Sequence, residues 1–215
     1  MTRQATGTRK RLLDAACALM AQHGYHGTTH QEICRRAGAN IASINYYFGS
    51  KEQLYEAVWE RAYELAEASH GFREHPGLSP EEALRGEIRS RLEAVLDEGP
   101  GGWLPRIILR AVAEGGHTEW AHLFERYLRP RMEHLARILK ALLGPDASDL
   151  DVRCCAFSIH SQCVHFNRMW ASNRGPFSCR CSASADGQAV VSRLIEFMVG
   201  GVRHMRNQLE RDKTR

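Results

Sequence analysis

A short segment near the N-terminus combines side chains that could bind a nucleic acid. Residues 39–51 read ANIASINYYFGSK. Asn and Ser side chains can hydrogen-bond to base edges, and a Tyr can pack at one end while it hydrogen-bonds at the other. Lys51 could neutralise a phosphate, whereas Ile41 and Ala42 offer apolar contact that suits a thymine methyl group. These residue types suit contact with phosphates and with polar or apolar groups of a nucleic acid.

Positive charge is concentrated in the same part of the chain. The protein has a formal net charge of +4, and residues 1–51 hold seven Lys or Arg against two acidic residues. The remaining residues are nearly neutral, with 22 basic against 23 acidic side chains. A basic end on a neutral body is expected of a protein that meets phosphates at one end only.

The sequence lacks the motifs that would indicate catalysis. It contains no G-x-S-x-G, Walker loop, dinucleotide fingerprint or H-E-x-x-H motif. Glu114 and His117 form an acid–base pair without further partners in the pattern. We therefore expect neither enzyme activity nor a cofactor.

Thiols and imidazoles leave one alternative open, a metal- or thiol-redox-responsive transcription factor that uses the region of His160, Cys163 and His165. His160 and Cys163 share a helix face, but His165 lies roughly 140° around the helix from His160. No paired C-x₂-C sites occur, so no metal site is assigned. The remaining cysteines have no regular spacing and are expected to be free thiols in a reducing cytoplasm: Cys17, Cys34, Cys154, Cys155, Cys179 and Cys181.

The beginning of the chain imitates an export signal, because Arg9, Lys10 and Arg11 precede the apolar run LLDAACALMA. Asp14 lies inside that run, where it would spoil a signal peptide but suits the polar side of an amphipathic helix. No apolar run approaches the ~18 to 20 residues of a spanning helix. We expect a cytoplasmic protein, associated with the nucleoid when bound to DNA, and no membrane partner.

Helix-forming residues dominate the sequence, and no useful length shows the alternation of a strand. The pattern predicts an all-α chain in which Gly and Pro separate about nine helices. Loops are expected at residues 71–80 and 174–186. The predicted helices span residues 8–23, 30–37, 41–47, 51–70, 80–98, 103–115, 118–143, 149–173 and 187–211.

The first three helices are short and are expected to share one core. Gly38 follows the second helix where the chain must reverse, in a left-handed conformation that Gly adopts without penalty. Asn40 can cap the third helix and Ser50 the fourth. A seven-residue helix is not stable alone, so its neighbours must support it. The apolar residues of this core are Leu12, Ala16, Leu19, Met20, Ile33, Ala37, Ile44 and Phe48.

The segments TTHQEICRRAG and YYFGSKEQLY, in this register within residues 24–58, resemble the DNA-binding domain of the TetR family of bacterial regulators. In that family a Thr-Thr pair opens the second helix, and the short third helix ends in a Tyr/His-Phe, Gly/Pro-Ser-Lys pattern. The resemblance implies a helix-turn-helix whose third helix enters the major groove. It divides the chain into a DNA-binding domain at residues 1–52 and a helical domain for effector binding and dimerisation at residues 53–215.

Carried over by position, the resemblance implies a set of DNA contacts. Thr28 and Lys51 would hold phosphates, and His30 would approach the edge of the groove. Tyr47 would lie toward the DNA backbone. The positions expected near the bases or at the leading end of the third helix are Asn40, Ile41, Ala42, Ser43, Asn45 and Tyr46.

The second domain is expected to bind an unknown small-molecule effector and to form a homodimer. PRIILRAVAE (105–114) and FNRMWASNRGPF (166–177) are similar to the subgroup related to CecR. An effector pocket is expected in this domain, and its candidate residues could equally belong to an ordinary core. These candidates are Trp103, Trp120, Phe124, Tyr127, His160 and His165. Apolar stripes on the last two helices are either core or a four-helix dimer interface, and they comprise Ile159, Cys163, Phe166, Trp170, Leu194, Met198, Val202 and Met205.

Most relatives in the family are repressors, so the expected function is a repressor that an effector releases from a palindromic operator.

Overall fold

The computed structural model describes residues 3–73, 77–115, 120–172 and 185–213, and all regular structure in these ranges is helical. The all-α class is therefore confirmed. None of the described helices has the length and apolar character needed to cross a membrane. The helices are Arg3–His23 (α1), His30–Ala37 (α2), Ala42–Phe48 (α3), Lys51–His70 (α4), Pro80–Leu96 (α5), Trp103–Ala113 (α6), Ala121–Tyr127 (α7), Arg129–Leu143 (α8), Asp149–Ser172 (α9) and Ala185–Asp212 (α10).

One predicted helix is wrong, because residues 118–143 do not form a continuous element. The chain breaks at Leu128 and restarts as α8, with Pro130 in the first turn. Proline has no backbone N–H and clashes with the preceding turn, so it is tolerated at the start of a helix but not within one. Ten helices are consequently described where about nine were expected.

The described residues as far as Ser69 pack with Asp97–Tyr127 into a first compact unit. Its core joins α1–α4 to α6 and α7, and it buries Leu12, Ile33 and Ile44 completely. This unit extends beyond the predicted DNA-binding domain at residues 1–52. The predicted boundary after residue 52 separates the residues expected to bind DNA from those expected to bind the effector and the partner subunit, and it stays a prediction.

A second compact unit consists of the described residues of His70–Leu96 and the described residues from Leu128 onward. Apolar side chains from α5, α8, α9 and α10 form its core, with Leu84, Leu139 and Val191 fully buried. An ion pair is enclosed within it, since Arg91 Nη2 lies 2.6 Å from Glu87 Oε1. The start of α5 is fixed by a capping box, because the Ser79 and Glu82 side chains each accept a hydrogen bond from the other residue's backbone N–H.

Candidate nucleic-acid interface

The second helix is fixed at both of its ends by local hydrogen bonds. Thr29 accepts from the Glu32 N–H at 3.2 Å, while its own N–H and hydroxyl donate to the Glu32 carboxylate at 3.1 and 2.8 Å. After α2, Gly38 adopts φ 61° and ψ 44°, the left-handed conformation that was predicted. Ala39 N–H then donates to the Cys34 carbonyl, which closes the turn into α3.

The third helix rests on the core through two side chains and presents the others outward. Ile44 and Phe48 are buried, and the Arg9 guanidinium lies 5.0 Å above the Phe48 ring. Asn40 Oδ1 accepts from the Ala42 N–H at 3.0 Å, so Asn40 organises the leading end as predicted, although Ile41 is the residue adjoining the helix. Packing on one side therefore holds a helix that is too short to be stable alone.

An exposed surface of α3 faces away from this core, and we call it the recognition face. Tyr46 is 78% exposed and Ile41 56%. Ser43 and Tyr47 are half-buried, and the Tyr46 and Tyr47 rings meet edge to face at 4.9 Å. Polar and apolar groups are thus presented together, which is what contact with base edges requires. The recognition face comprises Asn40, Ile41, Ala42, Asn45 and Tyr46.

Lys51 is the first residue of α4, and its side chain packs on the ring of Tyr25. Ser50 accepts from the Gln53 N–H at 3.2 Å, which confirms it as the helix cap. The Lys51 ammonium lies 4.5 Å above the Tyr25 ring. Partial burial lowers the pKa of Lys51, while the carboxylates of Glu114 and Glu52 act in the opposite direction. The cation is thus held beside the start of a helix, where a phosphate is favoured.

Two of the residues predicted to contact DNA, Thr28 and His30, are buried wholly or in part. Thr28 is fully buried and its hydroxyl donates to the Gly24 carbonyl at 2.7 Å, so we withdraw it from the phosphate contacts. His30 is half-buried at the start of α2, and its Nε2 atom is enclosed without a hydrogen-bond partner. Burial and then the charge of Lys51 lower the pKa of His30, so its imidazole is neutral at pH 7.

The cap of α2 gives a first testable prediction. We expect Thr29→Ala to lower the free energy of unfolding by about 1 kcal/mol, the usual cost of losing a Thr cap. Thr29→Ser keeps the hydroxyl and should stay close to wild type. Urea denaturation at neutral pH measures both variants, and equal stability of Thr29→Ala and wild type would contradict the role of the cap.

The same cap predicts a pH dependence. Hydrogen bonds from the Thr29 hydroxyl and backbone lower the pKa of Glu32 from its ordinary 4.5. A carboxyl with a lowered pKa stabilises the fold fully above its ordinary value, and this stabilisation is lost as pH falls through the lowered value. The difference between Thr29→Ala and wild type should therefore shrink in acid, below the ordinary carboxyl pKa.

The residues proposed for an effector pocket fall into two groups. Trp120 and Tyr127 are buried in the first unit, where Trp120 packs on Tyr25 and Tyr55 and Tyr127 on Trp59. Phe124 also packs on Trp59, with ring centroids 5.2 Å apart. These contacts favour the alternative of an ordinary core for the three residues.

The other pocket residues have different surroundings. Trp103 is half-buried and borders an open depression of about 320 Å³ together with Arg11 and Arg36. His160 and His165 belong to the second unit. His160 is half-buried, and its pKa is lowered by burial and by Arg91, whereas His165 is exposed.

The predicted dimer residues require a correction. Four of them, Ile159, Cys163, Met198 and Val202, are buried in the core of the second unit within one chain. Side chains enclosed there cannot present a surface to a partner. Phe166, Leu194 and Met205 are partly buried against the same core, and the Trp170 side chain lies outside the described residues.

Different residues of the last two helices are exposed. Phe157 on α9 is 71% exposed and Phe197 on α10 is 72% exposed. A side chain added at Gly200 or Gly201 would meet nothing within 4 Å. Each of these four residues is exposed, as is Leu150, and we use the name outer face of the second unit for the five together. Sequence periodicity missed it because the longer apolar stripes belong to the core.

Nothing in the described ranges favours a metal or redox centre. No group of three or more His, Cys, Asp or Glu side chains there could hold a metal ion. Burial raises the pKa of the Cys163 thiol to about 11, so little reactive thiolate forms at neutral pH. His117, Cys179 and Cys181 lie outside the described residues.

Two families match complementary parts of the chain. Residues 12–58 match the family described as bacterial regulatory proteins, tetR family. Residues 80–202 match the C-terminal domain of the HTH-type transcriptional dual regulator CecR. The CecR protein of Shigella flexneri is 33% identical over 162 residues, which cover 69% of this chain and 70% of that protein.

Solved structures show the same fold. The transcriptional regulator FadR from Bacillus subtilis, in complex with stearoyl-CoA, aligns with a TM-score of 0.66 at 20% identity, covering 89% of this chain and 98% of that one. AibR, in complex with isovaleryl coenzyme A and operator DNA, aligns with a TM-score of 0.66 at 21% identity, covering 90% and 96%.

Proposed function

The chain belongs to the TetR family of bacterial regulatory proteins, and from this premise we propose that it is a cytoplasmic, homodimeric repressor released from a palindromic operator by a small-molecule effector. The observation that supports DNA binding best is the recognition face of α3. Its side chains are exposed, while Ile44 and Phe48 behind it are buried. A rigidly supported helix with an outward polar surface suits entry into the major groove.

Seven residues of the interface have a proposed role in DNA binding. Asn45 and Tyr46 read base edges, and Ile41 and Ala42 contact thymine methyl groups. Lys51 and Tyr47 hold the DNA backbone, while His30 lies at the edge of the groove. Residues 1–52 are the proposed DNA-binding domain, and residues 53–215 serve effector binding and dimerisation.

The outer face of the second unit is the proposed dimer surface. Phe157 and Phe197 expose large aromatic side chains, and together they would form an apolar patch of the kind that marks a protein–protein interface. Gly200 and Gly201 leave open space beside Phe197 for a symmetry-related helix. A two-fold axis would pair this surface with itself and present two recognition faces to two half-sites.

The proposed effector acts by binding the two DNA-binding states of the dimer unequally, because only such a difference can shift their populations. AibR and FadR were each solved with a coenzyme A thioester. Acyl-CoA thioesters are therefore the first compounds to screen for release of bound DNA. The half-buried His160 is a proposed polar contact for the effector in the second unit.

Lys51→Ala tests the proposed DNA contact. We expect binding to every duplex to weaken by about tenfold at moderate salt, because each protomer loses one salt-screened contact with phosphate that contributes about 0.7 kcal/mol. The slope of log affinity against log salt should become shallower by about two, since two phosphates per dimer are no longer neutralised. Fluorescence anisotropy over a salt series measures both quantities.

Arg89→Ala is the matched control for this experiment, because it removes one exposed cation from α5 in the second unit. Its affinity and salt slope should equal those of wild type. If Lys51→Ala also leaves both unchanged, the proposed phosphate contact is wrong.

A further inference from the structure

Glu114, the residue that ends α6, reaches the turn between α1 and α2. Its Oε2 atom accepts a hydrogen bond from the Tyr25 backbone N–H at 3.1 Å. Gly24 provides the space for this carboxylate, because a Cβ atom there would collide with Glu114 Oε1. Gly24 also has φ 79°, a conformation that side-chain-bearing residues rarely adopt. The turn is therefore shaped to receive the Glu114 side chain.

Tyr25, the residue held by Glu114, contacts both charged residues at the start of α4. Its hydroxyl donates to Glu52 Oε1 at 2.9 Å. Its ring lies 4.5 Å beneath the Lys51 ammonium, an attractive arrangement of a cation on an aromatic face. Movement of Tyr25 would therefore move the support of Lys51 and release Glu52.

Surrounding rings limit that movement. Tyr25 is only 6% exposed. Its ring centroid lies 4.9 Å from that of Tyr55 and 5.0 Å from that of Trp120. The ring contacts hold the side chain of Tyr25, and the hydrogen bond from its backbone N–H to the Glu114 carboxylate holds its backbone. All of these residues belong to the first unit.

We propose that Glu114 is a positioning residue for DNA binding, which acts through Tyr25 to hold Lys51 in the place where it meets phosphate. This inference rests on the proposed function, since Lys51 must contact DNA for its position to matter. Glu114 itself makes no contact with DNA. The Glu114 carboxylate acts as a hydrogen-bond acceptor and packs against Gly24. DNA binding does not require the negative charge of this carboxylate.

Glu114→Ala and Glu114→Gln separate these two properties. Glu114→Ala removes the acceptor and should weaken DNA binding by about tenfold, within the usual range of coupling between linked sites. Glu114→Gln retains an oxygen acceptor without the charge and should bind within about twofold of wild type. If both variants bind DNA more tightly than wild type, the charge alone matters and the proposal is overturned.

A double-mutant cycle with Lys51→Ala then tests the route. In the Lys51→Ala background, Glu114→Ala should cause less than about a twofold further loss, because the residue through which it acts is already absent. A full tenfold loss in that background would contradict the route. If Lys51→Ala alone has no effect on DNA binding, the proposed function of Lys51 fails, which is a different result.

Hydrogen exchange provides a reading that is independent of DNA. In free protein, the Tyr25 amide should exchange faster in Glu114→Ala than in wild type and Glu114→Gln, while amides of α8 should not change. Unaltered protection of the Tyr25 amide in Glu114→Ala would contradict the proposed hydrogen bond.

Discussion

Replacing both Phe157 and Phe197 by Glu is expected to convert the protein into monomers and to weaken operator binding by about 100-fold or more. Both side chains are more than two-thirds exposed in one chain, at 71% and 72%. In a two-fold interface every substitution occurs twice, so the variant brings four carboxylates together and removes four aromatic contacts. The two DNA-binding domains then bind their half-sites independently. They lose the avidity that linkage supplies, which typically raises affinity by about 10²- to 10⁴-fold.

Analytical ultracentrifugation measures the change of mass, and anisotropy titration measures operator affinity. Leu78→Glu is the matched control, since it places the same charge on another exposed apolar residue, in the segment before α5. The control should remain dimeric with wild-type affinity. A double Phe variant that is still dimeric would show that the outer face is not the interface.

Asn45→Ala is expected to abolish discrimination at one base pair of each half-site. Asn is suited to a bidentate contact with adenine in the major groove, and such contacts contribute about 1–3 kcal/mol each. Because a palindromic operator has two half-sites, affinity for it should fall by about 30-fold or more. Binding to unrelated duplexes should stay close to wild type, since phosphate contacts are retained.

Competition titration with an operator and its single-base variants measures this loss. Asn207→Ala, an exposed amide on α10, is the matched control and should discriminate like wild type. The pattern differs from that of Lys51→Ala, which should weaken all duplexes alike. Retained discrimination at every base in Asn45→Ala would remove Asn45 from the set of base-reading residues.

In the first unit, local sequence signals correctly predicted the turns and helix caps, because these features depend directly on the residue type at one backbone position. Gly38 and Ser50 have fixed roles, because a left-handed turn and a helix cap each demand a particular residue type. The all-α class followed from periodicity in the same way. The apolar pattern continues past Pro130 and so predicts one helix over residues 118–143, but a proline lacks the backbone N–H that a continuous helix needs at that position.

Side-chain placement was harder to predict, since it depends on contacts between distant parts of the chain. Thr28 is a polar residue in a DNA-binding motif, yet the Gly24 carbonyl engages its hydroxyl inside the core. On α9 and α10 the longest apolar stripes are buried in one chain, and periodicity cannot distinguish a core from an interface. Glu114 offered no local signal either, because its partner Tyr25 lies 89 residues away.

We propose above all that the exposed face of α3 reads a specific DNA sequence. The most direct test is enrichment of duplexes from a random pool by wild-type protein and by a variant carrying both Asn45→Ala and Tyr46→Ala. Wild type should enrich an inverted repeat whose half-site centres lie about one helical turn or a multiple of it apart, ~34–36 Å for one turn. The variant should enrich no such repeat. Equal enrichment by both proteins, or no sequence preference by wild type, would contradict the claim.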